Sequence, residues 1–268
     1  AFITVLGSGT STGIPIPGCQ CSTCTSSKKE NTRFRTSILI STANDKNIII
    51  DTSTDLRSQL LANNITSIDA AMITHTHADH VHGIDDLRPM CFGKKAKTIP
   101  VYTDSFFKAD LENRFAYIFD NKNLPPAIGG GIPRLKLNPI SENTAANICE
   151  QKFEFFKLPH GHGHSVGFIF NDTFAYITDC HEVPDPIIKK LRDLKLEMLM
   201  IDCVMDKPHK THLWVERTFK YLEMISPKQA GLMHMGHHLE HFSLKKRAEK
   251  FFDFPVYPVY DGLQISLN

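Results

Sequence analysis

HTHADHVHG, residues 75–83, places four histidines and one aspartate within nine positions. The stretch directly follows AAMIT, residues 70–74, an apolar run with the length of a buried strand. So many metal-binding side chains after a strand have no folding rationale, and a polar loop with surface hydrogen bonds is the less favoured interpretation. We therefore interpret the stretch as a metal-binding loop at a strand end.

The H-x-H-x-D-H pattern divides the side chains of this loop between two directions. Alternate side chains of an extended segment share a direction, so His75 and His77 can converge on one ion. Asp79 and His80 then turn towards a second ion. Imidazole nitrogen and carboxylate oxygen are ligands that suit zinc or manganese. The loop therefore predicts two catalytic divalent metals.

Later strand ends carry residues that can complete such a centre. His160 follows the FEFFKL run, Asp179 ends the FAYIT run, and His234 ends the QAGLM run. Active sites on sheets commonly gather at strand ends, so we expect these side chains near the first loop. Each residue taken singly could be a hydrogen-bonded loop residue. Together with the first loop they predict a dinuclear metal centre.

Short β-rich runs alternate with helical patterns along the chain. Predicted strands cover residues 2–6, 36–41, 47–52, 70–74, 153–158, 166–170, 174–178, 198–202, 229–233, 255–259 and 263–267. Predicted helices cover residues 54–61, 105–117, 184–194, 212–225 and 243–252. Sheets packed face to face with helices outside satisfy this order and give an α/β fold. We expect one domain, residues 1–268, in which LPPAIGGGIP (124–133) is a long loop rather than a linker.

Composition and charge describe an ordinary globular protein of 268 residues. Its 30 basic and 29 acidic residues give a formal net charge of +1, so a nucleic-acid partner is not expected. No apolar run approaches the roughly 18 residues that a membrane span needs. The opening AFITVLGSG does not resemble a secretory signal. We expect a cytoplasmic protein without a membrane partner.

Three of the seven cysteines, Cys19, Cys21 and Cys24, form a tight C-x-C-x2-C cluster. The other four are scattered, which argues against a disulfide framework. Closed structural zinc sites nearly always have four ligands, so this set of three thiolates needs one more. Three reduced thiols in a loop are the alternative interpretation. The cluster predicts a structural zinc that clamps the N-terminal loop.

Several segments together resemble the metallo-β-lactamase fold superfamily and, within it, the phosphoribosyl 1,2-cyclic phosphate phosphodiesterase subfamily. They are VLGSGTSTGIP with the cysteine cluster after it, RFRTSILI, HTHADHVHGIDDLR, the H-G-x5-G-F segment from His160, and YITDC. The resemblance implies an αββα sandwich hydrolase. It implies one metal on His75, His77 and His160, a second on Asp79, His80 and His234, and Asp179 as the bridge.

The same resemblance implies a fourth zinc ligand and a general acid. The zinc ligand is His237, three residues after His234. The general acid is His212, with His209 as the rival, and Asp79 joins His212 among the catalytic residues. We also expect a helix to begin near His212.

Three further residues have weaker indications. His162 could replace His160 as a metal ligand, although the spacing to Gly167 favours His160. We expect His82 to orient one of the metal-binding side chains without binding the metal itself. Arg88 is a candidate for binding a second phosphate, although a lone arginine is more often a surface charge.

These predictions describe a dinuclear-metal phosphodiesterase. Metal coordination lowers the pKa of water from 15.7 towards about 7, which provides a hydroxide nucleophile at neutral pH. We expect a small cyclic phosphodiester, such as a phosphoribosyl cyclic phosphate, as substrate. A tRNA-processing endoribonuclease, which would need a basic arm for RNA, and a metal-stabilised binding domain without activity stay open as alternatives. A homodimer also stays open.

Overall fold

Two seven-stranded sheets organise the protein in a computed structural model that describes residues 1–92, 97–119, 131–141 and 144–267. The strands are β1 (Phe2–Gly7), β2 (Ser37–Ser41), β3 (Asn47–Ile50), β4 (Ala70–Ile73), β5 (Ile99–Asp104), β6 (Leu135–Ile140), β7 (Ala145–Ile148), β8 (Gln151–His160), β9 (Gly163–Phe170), β10 (Phe174–Ile177), β11 (Met198–Asp202), β12 (Ala230–Met233), β13 (Val256–Pro258) and β14 (Gln264–Ser266). One sheet has the order β14-β1-β2-β3-β4-β5-β6, and the other has the order β13-β12-β11-β10-β9-β8-β7.

Helices cover the outer face of each sheet. They are α1 (Leu56–Ala62), α2 (Ala78–Val81), α3 (Ser105–Arg114), α4 (Ala116–Phe119), α5 (Asp185–Leu194), α6 (Val215–Ile225) and α7 (His241–Phe251), with a 3₁₀ segment at Ile84–Cys91. One buried cluster joins the first sheet to α1, α3 and the 3₁₀ segment, and another joins the second sheet to α5, α6 and α7. The α/β fold of the αββα type is confirmed.

The central strands of both sheets are buried on both faces, which explains why their sequences are nearly continuous apolar runs. In β2, Ile38 and Ile40 pack between the sheets, whereas Leu39 packs under the helices. Phe153 and Phe168 of the second sheet enter the same inter-sheet core. The alternation follows from the two-residue period of a strand.

The functional end of the molecule is the edge at which parallel strands of both sheets finish. The strands β3, β4 and β5 run parallel in one sheet, and β10, β11 and β12 run parallel in the other. The backbone N–H of Val166 donates to the carbonyl oxygen of Thr74 (2.9 Å) and joins the two sheets there. The segments that follow β4, β10 and β12 therefore meet at one place.

Three strands, β5, β6 and β7, are absent from the sequence prediction. The strands β6 and β7 lie at the sheet edges and have half-exposed side chains, so their sequences lack a strong apolar run. Pro100 in β5 and Pro139 in β6 also interrupt the pattern that predicts a strand. Pairing with neighbouring strands, rather than local sequence, therefore determines that these three segments form strands.

Two predicted helices differ in the structure. The helix over 105–117 is divided because Phe115 leaves the helical conformation, with φ −117° and ψ 42°. The prediction of a helix start near His212 is wrong: α6 begins at Val215, after an extended residue. Residues 124–130 of the predicted long loop lie outside the described residues. None of the helices in the described part of the chain has the length and apolar character of a membrane span.

Candidate metal centre

The first group of candidate ligands consists of His75, His77, His160 and Asp179. His77 Nδ1 lies 2.9 Å from His75 Nε2 and 3.2 Å from His160 Nε2. Asp179 Oδ2 lies 3.7 Å from His75 Nε2 and 3.9 Å from His160 Nε2. Four donors of these types at such distances fit one zinc or manganese ion.

The second group shares Asp179 and adds Asp79, His80 and His234. His80 Nε2 lies 3.3 Å from Asp79 Oδ2 and 3.4 Å from Asp179 Oδ1. His234 Nδ1 lies 3.0 Å from the same oxygen of Asp179. One oxygen of Asp179 thus faces each group, which is the arrangement of a carboxylate between two cations.

Short, constrained segments direct these side chains. His77 immediately precedes α2, and Asp79 and His80 lie in its first turn. Asp179 and His234, each within two residues of a strand end, have positive φ angles of 50° and 58°. This left-handed region is uncommon for residues other than glycine and recurs at functional sites. Two of the residues predicted to bind metal therefore have this uncommon backbone conformation.

Two buried carboxylates support the centre, and sequence reasoning missed both. Asp51 accepts hydrogen bonds from Thr74 N (2.8 Å) and Thr74 Oγ1 (2.9 Å), and its Oδ2 lies 2.7 Å from His80 Nδ1. Asp202 Oδ2 lies 3.0 Å from His212 Nδ1. Both residues close apolar strand sequences, NIIID and MLMID, just as an aspartate closes FAYITD. That shared signal could have found them.

Burial and neighbouring charges keep several side chains of the centre in the protonation states that bind metal. Burial lowers the pKa of His75 well below its ordinary value and that of His160 to about 4. Burial opposes ionisation of Asp179, but His234 and His80 outweigh it and lower the pKa of Asp179 well below its ordinary range. Metals bind neutral imidazole and ionised carboxylate, so these donors are suited to a cation.

The carboxylates in and around the second group favour a positive charge at this place. Burial lowers the pKa of His80, but Asp179, Asp51 and Asp79 outweigh it and raise this pKa well above its ordinary value. His80 Nε2 and His234 Nε2 are buried without a hydrogen-bond partner among the described residues. Such atoms are costly to leave unsatisfied. A cation would satisfy these nitrogens and carboxylates, so the residues fit the predicted metals.

His212 lies against both ligand groups. Its ring centroid is 4.9 Å from that of His160 and 4.9 Å from that of His234. Its Nδ1 lies 4.0 Å from Asp179 Oδ2. Burial lowers the pKa of His212, but Asp202 and Asp179 outweigh it and raise the value to about 9. The structure therefore brings a protonated imidazole to the centre without making it part of either donor group.

His209 and His162 lie near the centre and outside both donor groups. The ring centroid of His209 is 5.2 Å from that of His212, and its Nδ1 is 3.2 Å from Thr211 Oγ1. His162 is exposed in the turn between β8 and β9. The first donor group contains His160 rather than His162, in agreement with the spacing to Gly167.

His82 and Arg88 do not face the ligand groups. His82 is exposed, and its ring lies 6.1 Å from that of Phe115. The prediction that it supports a ligand is wrong, because two positions along a helix separate it from His80 by about 200°. Arg88 pairs with Asp85 (3.7 Å) beside a separate cavity.

Residues of both ligand groups, although not the fully buried His80, line one open cavity of about 690 Å³. Further lining comes from Phe106 and Phe107 of α3 and from the turn between β8 and β9. A cavity of this size suits a small molecule. His212 also lines it, so a bound molecule has access to the metal donors and to this imidazole together.

The cysteine cluster and His237 form a separate donor set. The Sγ atoms of Cys19, Cys21 and Cys24 lie 3.2, 3.6 and 3.7 Å from His237 Nδ1. Three thiols and one imidazole match the donor set of a closed, four-coordinate zinc site. All seven cysteines are free thiols. The structure thus brings together residues that are more than 200 positions apart in the sequence.

Known proteins are similar to this chain in sequence and in fold. The family described as the beta-lactamase superfamily domain matches residues 46–235. The octanoyltransferase of Porphyromonas gingivalis (strain ATCC BAA-308 / W83) is 31% identical over 264 residues, which is 98% of this chain. The chain spans 51%, or about half, of the length of that protein.

Solved structures extend the comparison. A diphosphatase from the PhnP family superposes with a TM-score of 0.87 at 31% identity, covering 98% of this chain and 96% of its own. Human tRNase Z, short form, superposes with a TM-score of 0.67 at 16% identity, covering 100% of both chains. The second similarity is one of fold alone.

Proposed function

Because the chain belongs to the β-lactamase superfamily and is a metal-dependent hydrolase of that fold, we propose that it hydrolyses a small phosphodiester at a dinuclear metal centre. A phosphoribosyl cyclic phosphate is the substrate type that we favour. The observation that carries the proposal is Asp179, whose two carboxylate oxygens each face one group of histidine donors. The similarity to a PhnP-family diphosphatase over nearly the whole chain supports phosphate chemistry.

We assign the two donor groups as the ligands of two zinc or manganese ions. His75, His77 and His160 would hold one, Asp79, His80 and His234 would hold the other, and Asp179 would be shared by both. When bound, the cations would lower the pKa of a water molecule and neutralise charge on the phosphodiester oxygens. Asp79 lines the cavity and has a second role, which is to accept a hydrogen bond from the attacking water and orient it.

His212 acts as the general acid for the leaving alkoxide oxygen. Asp202 accepts the hydrogen bond from His212 Nδ1–H (3.0 Å), which leaves Nε2 as the nitrogen that donates a proton to the substrate. The His212 side chain is 13% exposed and lines the cavity, so substrate can reach it. Such an acid matters most when the leaving group is poor.

The cysteine cluster and His237 hold a structural zinc. His237 lies three residues after His234, so this zinc would fix the segment that carries a catalytic ligand. Backbone contacts already tie the same segments together, since Met235 N donates to Ser8 O (3.0 Å). The buried Arg33 adds hydrogen bonds to the carbonyl oxygen of Gly236 (3.0 Å).

We also propose that residues 1–268 form a single domain and that the protein is cytoplasmic. Pairing of β1 with β14 places both ends of the described chain in one sheet. Free thiols throughout the chain suit a reducing compartment. Octanoyl transfer is not part of the proposal, because the match covers about half of that relative.

Metal analysis combined with three substrates tests the proposed function. We expect the metal-loaded protein to hydrolyse bis(p-nitrophenyl) phosphate and a ribosyl cyclic phosphate, but not a pre-tRNA, because a net charge of +1 offers little attraction for RNA. His212→Ala should lower kcat for the cyclic phosphate by about a hundredfold with metal content unchanged. His209→Ala, the matched control, should keep kcat.

Two outcomes contradict the proposal. A fully metallated protein that cleaves none of the three substrates is not a phosphodiesterase of this kind. Cleavage confined to pre-tRNA supports an endoribonuclease instead. Equal losses in His212→Ala and His209→Ala would remove His212 from the role of general acid.

A further inference from the structure

We propose that Phe106 forms a stacking subsite for phosphodiesters that carry a planar ring, a substrate class beyond the phosphoribosyl cyclic phosphate. The inference rests on the proposed function for the position of the phosphate among the metal donors. Phe106 lies in the first turn of α3 and lines the same 690 Å³ cavity as both donor groups. A molecule held by its phosphate at the donors can therefore extend its other substituent towards this side chain.

Phe106 combines high exposure with a rigid support. It is 69% exposed, the largest exposed fraction among the exposed large apolar side chains of the described chain. Its backbone is fixed, since Phe106 N donates to the capping carboxylate of Asp104 (2.8 Å). A single exposed phenylalanine is ordinary on a protein surface, and what distinguishes Phe106 is the pair of rings that pack behind it.

Two further rings stand behind Phe106. Its centroid is 5.3 Å from that of the buried Phe107 and 5.2 Å from that of His164. Phe107 and His164 are also in contact with each other, at 4.9 Å. The three rings form an aromatic wall in which only Phe106 is widely exposed. A ring that is already held in place loses little side-chain freedom when a ligand stacks on it.

The charges beside the aromatic wall favour a neutral ring over a phosphate at this subsite. His164 Nε2 and Lys157 Nζ both lie 3.6 Å from Asp104 Oδ2. The Lys157 cation is therefore already engaged by a carboxylate that would repel an added phosphate. An aromatic or nucleobase-like ring needs no counter-charge and gains from contact with a π face.

A matched pair of phosphonates separates ring recognition from phosphate binding. Phenylphosphonate and methylphosphonate present the same head group to the metal donors and differ in the ring. Titration calorimetry on the metal-loaded protein should show phenylphosphonate binding about tenfold more tightly, the range expected for stacking on one aromatic side chain.

Substitutions at Phe106 then test the assignment. Phe106→Ala should reduce the preference to less than about twofold, and Phe106→Tyr should restore it, because tyrosine keeps the aromatic face. Phe242→Ala, at an exposed phenylalanine of α7 that does not line the cavity, is the control and should keep the full preference. A wild-type protein without the preference, or a preference that survives in Phe106→Ala, overturns the subsite.

The subsite and the proposed function can fail independently. Hydrolysis of bis(p-nitrophenyl) phosphate without a phenylphosphonate preference would refute the aromatic subsite and leave the phosphodiesterase intact. A preference that depends on Phe106, found in a protein that cleaves no diester, would support the subsite and refute the hydrolytic proposal.

Discussion

The buried His and Asp centre and the cysteine set of this protein differ both in residue types and in surroundings. The His and Asp groups that share Asp179 are buried at the junction of both sheets and line an open cavity. The set of three cysteines and His237 is only partly buried, and it joins the N-terminal loop to the segment after β12. A set that opens into a cavity can admit substrate, whereas a set of four closed donors can only hold structure.

The supporting contacts differ in the same way. Side chains fix the catalytic donors: Asp51 holds His80, and Thr74 Oγ1 lies 3.1 Å from His75 Nδ1. The cysteine set depends on local backbone instead, such as the hydrogen bond from Cys24 N to Cys21 Sγ (3.4 Å). Precise orientation is needed where chemistry occurs, and simple attachment is enough elsewhere. The account therefore predicts different losses at the two regions.

Removal of the shared carboxylate should have the largest effect. Asp179→Asn leaves the side-chain volume but removes a charge that faces both donor groups. We expect kcat for bis(p-nitrophenyl) phosphate to fall by about a thousandfold. Inductively coupled plasma mass spectrometry should show loss of the catalytic metals and retention of one zinc. A variant that keeps both catalytic metals and its activity would break the comparison.

Loss of one thiolate should affect stability rather than chemistry. Cys24→Ala removes a donor of the closed set, and we expect the free energy of unfolding to fall by about 3 kcal/mol through loss of the zinc. Urea unfolding, with kcat measured under native conditions, separates the two effects. Cys149→Ala is the control, since Cys149 is also a partly buried thiol and lies outside the cluster. A large loss of kcat with unchanged stability would mean that the cysteine set takes part in catalysis.

A milder change behind the catalytic donors should weaken metal binding without abolishing it. Asp51→Asn alters the carboxylate that holds His80 Nδ1, and support of this kind is typically worth about 10–100-fold in metal affinity. Competition with a chromophoric chelator measures the change. Asp69→Asn, which removes a carboxylate paired with Lys97 instead, should leave the affinity unchanged. Equal affinities in wild type and Asp51→Asn would contradict the supporting role.

The smallest expected effect concerns Asp261, whose carboxylate accepts hydrogen bonds from two separate segments of the chain. Its Oδ1 accepts from Ser8 N (2.8 Å), and its Oδ2 accepts from Phe34 N (2.6 Å). Burial raises the pKa of Asp261 to about 7, above its value in the unfolded chain. The folded state therefore binds the extra proton, and stability falls as pH rises through this range.

Urea unfolding of the metal-saturated protein at pH 6 and pH 8 measures this dependence. A single group with a folded pKa near 7 contributes a loss of about 1.4 kcal/mol over these two pH units. Asp261→Asn should lack this contribution, so the difference between wild type and variant isolates it. An identical pH dependence in both proteins would remove Asp261 as its source.

The sequence predicts the catalytic region better than the rest of the molecule. Its ligands lie in H-x-H-x-D-H and at three strand ends, and parallel strands bring such ends together. Asp51 and Asp202 carry the same strand-end signal but have no metal-ligand spacing, so they were missed. The division of donors between two points depends on side-chain directions at residues with positive φ, such as His234, which residue spacing does not reveal.

Other features depend on contacts between distant parts of the chain. Cys24 and His237 are 213 positions apart, and only the family resemblance indicated their pairing before the structure placed them together. The edge strands β6 and β7 have few buried residues, so pairing with a neighbour decides them. The wall around Phe106 was missed for a similar reason, since its rings come from α3 and β9.

Stepwise metal titration of the apoprotein, with hydrolysis of bis(p-nitrophenyl) phosphate recorded at each step, shows directly whether the reaction needs two metals. We expect three bound metals per chain. Full activity should require both ions at the donor groups that share Asp179, and a third ion at the cysteine set should add stability alone. Full activity with a single metal in those two groups, or no diester hydrolysis with all three sites filled, would contradict the dinuclear phosphodiesterase.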